Sequence, residues 1–117
     1  MPQTRVLIGD DQRSVREALR CLLAFSPQVE VVGEAADGQT AVHLVAERHP
    51  DVVLMDIQMP VVDGLEATRR IKNRWPGVRV IVLTMYARHR TEALTSGADV
   101  FLVKGCACEA LQNAVLA

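Results

Sequence analysis

Four short runs of apolar residues, each closed by polar residues able to do chemistry, constrain the fold of this chain more than any other feature. Val6-Leu7-Ile8 runs towards Asp10-Asp11, and Val52-Val53-Leu54-Met55 runs into Asp56. Val80-Ile81-Val82-Leu83 runs into Thr84, and Val100-Phe101-Leu102-Val103 runs into Lys104. Unbroken runs of this length are the pattern of parallel strands with both faces covered by helices. In an open sheet of that kind the ligand crevice lies outside the carboxyl ends of the strands. The pattern therefore delivers three carboxylates, a hydroxyl and an ammonium to one rim.

The segments between the runs carry helical periodicity. Val15, Ala18, Leu19, Leu22 and Leu23 form one stripe between Ser14 and Ser26, which Pro27 ends. Val29 to Ala35 reads as a second strand, interrupted by Glu30 and Glu34. Asp37-Gly38 turns into a helix with Ala41, Leu44 and Val45 inward, stopped before Pro50. Leu65 to Asn73 is a helix with Leu65, Thr68 and Ile71 inward, entered through the Met59-to-Gly64 loop and ended by Trp75-Pro76-Gly77. A further helix lies between Ala87 and Ser96, closed by Gly97, and a last one begins at Cys106 and runs to Ala117. Five β-α units imply a parallel sheet with right-handed crossovers. The expected fold is doubly wound α/β, a five-stranded parallel sheet with helices on both faces, and the strand order 2-1-3-4-5 is assumed.

A chain of 117 residues is one domain with a single core. A formal charge of −1 gives no bulk drive towards nucleic acid. No apolar run approaches the roughly 18 residues of a membrane span, and Met1 to Arg5 lead into the first strand without a secretory signal. The expectation is a cytoplasmic protein with no membrane contact. Cys106 and Cys108 have the spacing of neither a zinc site nor a C-x-x-C redox pair, so both are expected to be small buried hydrophobes. The last helix lacks a stop signal at Ala117, which suggests a piece of a longer chain; a complete domain with a short final helix is the alternative.

Asp10, Asp11 and Asp56 become neighbours if the first and third strands are adjacent. Packed carboxylates repel, and a divalent cation removes the conflict. Magnesium suits oxygen-only ligation by one or two carboxylates plus a phosphate oxygen, and no His/Cys set favours zinc. With the ammonium of Lys104 and the hydroxyl of Thr84, the rim forms a cradle for a transferring phosphoryl group. Asp56 stands alone at its strand end and is the candidate nucleophile, forming an aspartyl-phosphate.

The chain resembles the receiver domain of bacterial two-component response regulators over essentially all of residues 1–117. The matching strings are Asp10-Asp11, Met55 to Pro60 with Asp63-Gly64, Leu83-Thr84-Met85-Tyr86, Gly97-Ala98, and Phe101 to Lys104. The L-T-M-Y and F-L-V-K-G strings are most similar to the NarL/FixJ branch, whose members usually carry a C-terminal helix-turn-helix DNA-binding domain. The resemblance implies that Asp56 is the phosphoacceptor for a sensor histidine kinase. It implies that Asp11, Asp56 and the backbone carbonyl of Gln58 hold Mg2+, with Asp10 acting through water. Thr84 and Phe101 would be the switch pair, and Lys104 would bind a phosphoryl oxygen. DNA would be contacted only through an output domain outside residues 1–117, and a homodimer on phosphorylation is open.

Two departures from the family pattern stand out: Gly105 follows the lysine in place of a common cis-linked proline, and the stretch from Tyr86 to Lys104 is slightly short. Simpler roles compete for several other residues. Asp63 is expected to cap the third helix, and His43, His49 and His89 lack metal spacing. Arg69, Arg70, Lys72 and Arg74 beside Trp75 read as a solvated face, and Met55, Met59 and Met85 as packing residues. A flavodoxin-like electron carrier shares the strand order, but Asp10-Asp11 would repel a cofactor phosphate. A phosphohydrolase would need an acid where Gln58 stands, so the expectation is no enzyme beyond self-phosphorylation and slow self-dephosphorylation. A dinucleotide enzyme lacks its G-x-G-x-x-G after the first strand. A stand-alone receiver that relays phosphate or binds a protein is the closest alternative.

Overall fold

The computed structural model describes residues 2–117. Five parallel strands, β1 (Thr4–Gly9), β2 (Val29–Ala35), β3 (Val52–Met55), β4 (Arg79–Thr84) and β5 (Val100–Val103), form one sheet in the order β2-β1-β3-β4-β5. Five helices connect and follow them: α1 (Arg13–Ala24), α2 (Gly38–Arg48), α3 (Gly64–Arg74), α4 (Arg90–Thr95) and α5 (Cys108–Leu116). The apolar runs predict the parallel, covered strands, and the sheet has the strand order assumed for them.

Side chains alternate across each strand, and the core divides accordingly. Leu7, Val53, Met55, Val80 and Val82 meet Ala41 and Val45 of α2, Leu65, Ala67 and Ile71 of α3, and Ala93 of α4. Val6, Ile8, Val52, Leu54, Ile81 and Leu83 meet Leu23 of α1 and Leu111 and Val115 of α5. The three inner strands can be unbroken aliphatic runs because both of their faces are covered. The outer strands differ: β2 carries Glu30 and Glu34, and β5 is half-buried throughout.

Helix ends are set by local chemistry. Asp37 and Asp63 cap α2 and α3 by accepting from the N–H groups of Thr40 and Glu66 at 2.7 and 2.8 Å. Buried Thr68 satisfies its hydroxyl on the Gly64 carbonyl at 2.7 Å. After α4, Gly97 at φ +105 lets its own N–H reach Leu94 O and the Ala98 N–H reach Ala93 O, a Schellman closure.

Several expectations are corrected. The segment from Ala87 splits into a 3-10 turn (Ala87–His89) and a six-residue α4, with no side-chain cap at either start. The last helix begins at Cys108 rather than Cys106, because Gly105 at φ +90 turns the chain and the Cys106 N–H bonds back to Val103 O. Cys108 is consequently exposed and Cys106 half-buried, so the pair are not the buried hydrophobes expected. No cis peptide bond occurs among the described residues. On α1 only Leu23 is fully buried; Val15, Ala18, Leu19 and Leu22 line an open groove of about 400 Å³ shared with α5. Met55 and Met59 are packed in the core as expected, whereas Met85 is 62% exposed.

Candidate phosphoacceptor site

The strand order places the ends of β1, β3, β4 and β5 side by side. The ladder continues one residue past β3 and β5: the Asp56 N–H donates to Gly9 O at 2.8 Å and the Lys104 N–H to Thr84 O at 2.7 Å. Asp10, Asp56 and Thr84 are buried, while Asp11 is exposed. One ligand oxygen from each of Asp10, Asp11 and Asp56 lies within 4.8 Å of the others. Lys104 Nζ lies 2.7 Å from Asp10 Oδ2 and 3.5 Å from Asp56 Oδ2.

Asp10 is the most constrained residue of the set. Its N–H donates to Ala35 O at 3.0 Å, and its Oδ1 accepts from the Gln12 N–H at 2.9 Å. Its Oδ2 faces Lys104, and its carbonyl accepts from Arg16 Nη1 at 2.7 Å. Asp10 is thus a bonded brace, and Asp11 is the acid left free to face solvent.

Burial, joined by the negative charge of Asp10, pushes the Asp56 carboxyl above its ordinary range, against the opposing pull of Lys104 and of the Ile57 N–H. A single ammonium does not balance three clustered carboxylates. The donor set is all oxygen, lacks nitrogen and sulfur ligands, and opens on a cavity, which fits magnesium better than zinc.

The cavity, about 330 Å³, is lined by Asp11, Asp56, Gln58, Thr84 and Lys104 together with Gln12, Val15, Met85 and Tyr86. The rim residues singled out from the sequence therefore converge, with Phe101 the exception. Phe101 is half-buried on the α2–α3–α4 side of the sheet, paired with Val82 in the β4–β5 register, and does not line the cavity. Close packing fixes the acceptor loop. A Cβ on Gly64 would overlap the Asp56 carbonyl oxygen, and one on Gly38 would overlap Val62 O. Arg16, Met85 and Tyr86 were not singled out from sequence as site residues.

The response regulator receiver domain model matches residues 6–116. The chain belongs to the response regulator receiver domain family. Over 113 residues this receiver domain is 42% identical to the transcriptional regulatory protein DegU of Brevibacillus brevis, covering 95% of the chain and 48% of that protein. Over 103 residues it is 42% identical to a protein-glutamate methylesterase/protein-glutamine glutaminase of Methanosarcina acetivorans, covering 86% of the chain and 30% of that protein. Its fold matches the signal receiver domain of NarL from Mycobacterium tuberculosis with a TM-score of 0.93 and 34% identity, covering 99% and 95% of the two chains. The chain spans about half the length of DegU and about a third of the methylesterase.

The remaining candidates behave as solvated surface. Arg69 and Arg70 both pair with Glu66. Arg74 stacks over Trp75, 4.9 Å from the ring centroid. Lys72 departs from that pattern, joining α3 to Asp99 at 2.9 Å and to the Pro76 and Val78 carbonyls. His43 and His49 are exposed, while His89 is half-buried against Tyr86 with neither ring nitrogen hydrogen-bonded.

Proposed function

We propose that this receiver domain takes a phosphoryl group onto Asp56 from the phosphohistidine of a sensor kinase and controls an output, transcription, carried outside residues 1–117. The observation that carries this reading is the position of Asp56. Its carboxylate sits among two further acids and 3.5 Å from an ammonium, and it lines a cavity of about 330 Å³, room enough to admit a phosphoryl group. In the transfer, an Asp56 oxygen forms the new O–P bond while the P–N bond to the donor imidazole breaks. The electron pair stays on the departing nitrogen.

Asp11, Asp56 and the Gln58 carbonyl would hold Mg2+, with Asp10 bonded through water. When bound, that ion supplies the positive charge that balances the acids and the phosphoryl oxygens. Lys104, already between Asp10 and Asp56, can turn to a phosphoryl oxygen without leaving the site. Thr84 donates its hydroxyl to another oxygen. Movement at Thr84 frees space on β4 beside Phe101, making the β4–β5 end the two-state element that the new charge biases.

The relationship to DegU favours a transcriptional output, and the relationship to a methylesterase supports an enzymatic output as a second reading. The coding sequence downstream of Ala117 separates the two. For the chemistry, incubation with magnesium and acetyl phosphate is expected to add one phosphoryl group by intact-mass measurement. Asp56→Asn and chelation should each abolish the addition. A wild-type mass that stays constant with both acetyl phosphate and phosphoramidate, at saturating magnesium, sinks the proposal.

A further inference from the structure

Arg16 lies one helical turn into α1 and is largely buried, with 16% of its side chain exposed. Its guanidinium does two things at once. Nη1 donates to the Asp10 carbonyl at 2.7 Å, and Nε donates to Glu34 Oε1 on the edge strand β2 at 3.1 Å. The second oxygen of Glu34 accepts from Arg20 Nε at 2.8 Å. Partial burial raises the Glu34 carboxyl, but Arg20 and Arg16 hold it below its ordinary range, so it stays an anion that anchors the fork. A guanidinium can span two acceptors in one plane with fixed geometry, whereas an ammonium cannot.

The carbonyl that Arg16 holds is not an arbitrary one. The C=O of Asp10 and the N–H of Asp11 belong to the same planar peptide unit. Fixing the direction of that carbonyl fixes the plane from which the Asp11 side chain departs. Asp11 is exposed, and no side-chain hydrogen bond among the described residues holds its carboxylate. Its aim therefore depends on its backbone: the Asp10 and Gln12 N–H groups hold the flanking peptides, and Arg16 holds the carbonyl of the peptide that leads into Asp11. Asp10 itself needs no such help for its carboxylate, which Gln12 and Lys104 already hold.

We infer that Arg16 is a positioning residue for metal binding: held by Glu34, its guanidinium orients the Asp10–Asp11 peptide so that Asp11 faces the cation. This inference rests on the magnesium-dependent phosphoacceptor reading given above. It predicts a defect in magnesium affinity that is separable from any loss of stability. Partners that orient metal ligands from behind are typically worth about 10–100-fold in metal affinity.

The test is magnesium titration by calorimetry on the wild type, Arg16→Gln, Arg16→Lys and Arg20→Gln, with thermal unfolding of each in EDTA. Arg20→Gln removes a bond to the same Glu34 without touching Asp10, so it reports the structural cost alone. The expected result is a roughly tenfold weaker magnesium constant for R16Q, a smaller loss for R16K, and the wild-type constant for R20Q. The acetyl phosphate reaction of R16Q should need correspondingly more magnesium yet reach the wild-type plateau. If R16Q does not fold, R16K decides. Wild-type affinity in R16K overturns positioning by the fork, as does an R16Q constant equal to that of R20Q. A wild-type protein that binds no magnesium overturns the phosphoacceptor reading itself, and the inference falls with it.

Discussion

At the β1 and β3 end of the rim every polar atom of Asp10 is bonded, and the Asp56 carbonyl abuts a glycine with no room for a methyl group. At the β4 and β5 end, Met85 is 62% and Tyr86 41% exposed, α4 spans six residues, and His89 leaves both ring nitrogens unbonded. The two ends share one sheet and one cavity, yet one is over-determined and the other is held by few interactions. That difference suits a switch. A group that must receive charge in fixed geometry needs a rigid seat, and an element that must report the charge needs an alternative arrangement within a few kcal/mol.

Alanine substitution at two glycines probes the contrast most strongly. Gly64→Ala places a methyl into the Asp56 backbone and is expected to cost more than about 4 kcal/mol or to abolish cooperative unfolding. Gly105→Ala, at φ +90 but with nothing within 4 Å, is expected to cost only the left-handed backbone penalty of about 1–2 kcal/mol. Urea denaturation of both variants measures the gap, and equal losses would break the contrast.

A smaller effect tests the charge on the rigid side. The folded Asp56 carboxyl keeps its proton to higher pH than the unfolded one. Between those two values the folded state binds more protons, so its stability falls as pH rises through the interval. Asp56→Asn lacks that loss. Without metal, the variant is expected to melt above the wild type at neutral pH, with the gap closing below the ordinary aspartate value of about 3.9. Calorimetric scans across pH, with and without magnesium, measure this, and a gap independent of pH would contradict the assigned burial.

The smallest effect concerns the loop after the acceptor. Val61 is 76% exposed and sits at φ +68, a region that β-branched side chains avoid. Val61→Gly is expected to gain about 0.5–1 kcal/mol, the relief of that strain less the entropy of glycine. A shift of the urea midpoint without a change in slope would register it.

Most of the rigid side was legible from the residues. The apolar runs locate β3 at Val52–Met55, and the alternating acids locate β2 at Val29–Ala35, because strand burial is written into local pattern. The cap at Asp63 and the stop at Gly97 follow from equally local chemistry. The looser side was read less well. The 3-10 start before α4 and the late start of α5 depend on a turn at Gly105, which no periodicity announces. The exposure of Met85 and Cys108 follows from those turns. Arg16 was missed because its partners lie just past β1, at Asp10, and on β2, eighteen residues away in sequence for Glu34. Its trace was visible all the same: of the two acids that interrupt β2, the half-buried one, Glu34, calls for a cation on the helix beside it.

The abutment of Gly38 on Val62 gives a residue at the start of α2 authority over the loop that carries Gln58. The Gly38 N–H also bonds Val62 O at 2.9 Å, so backbone meets backbone with no side chain to yield. Any larger residue at position 38 would push that loop outward, and with it the Asp63–Gly64 segment packed on the Asp56 backbone, without altering a side chain of the rim. A genetic screen for lost signalling should therefore return lesions at this glycine that mimic loss of the acceptor although every chemical group of the rim is present.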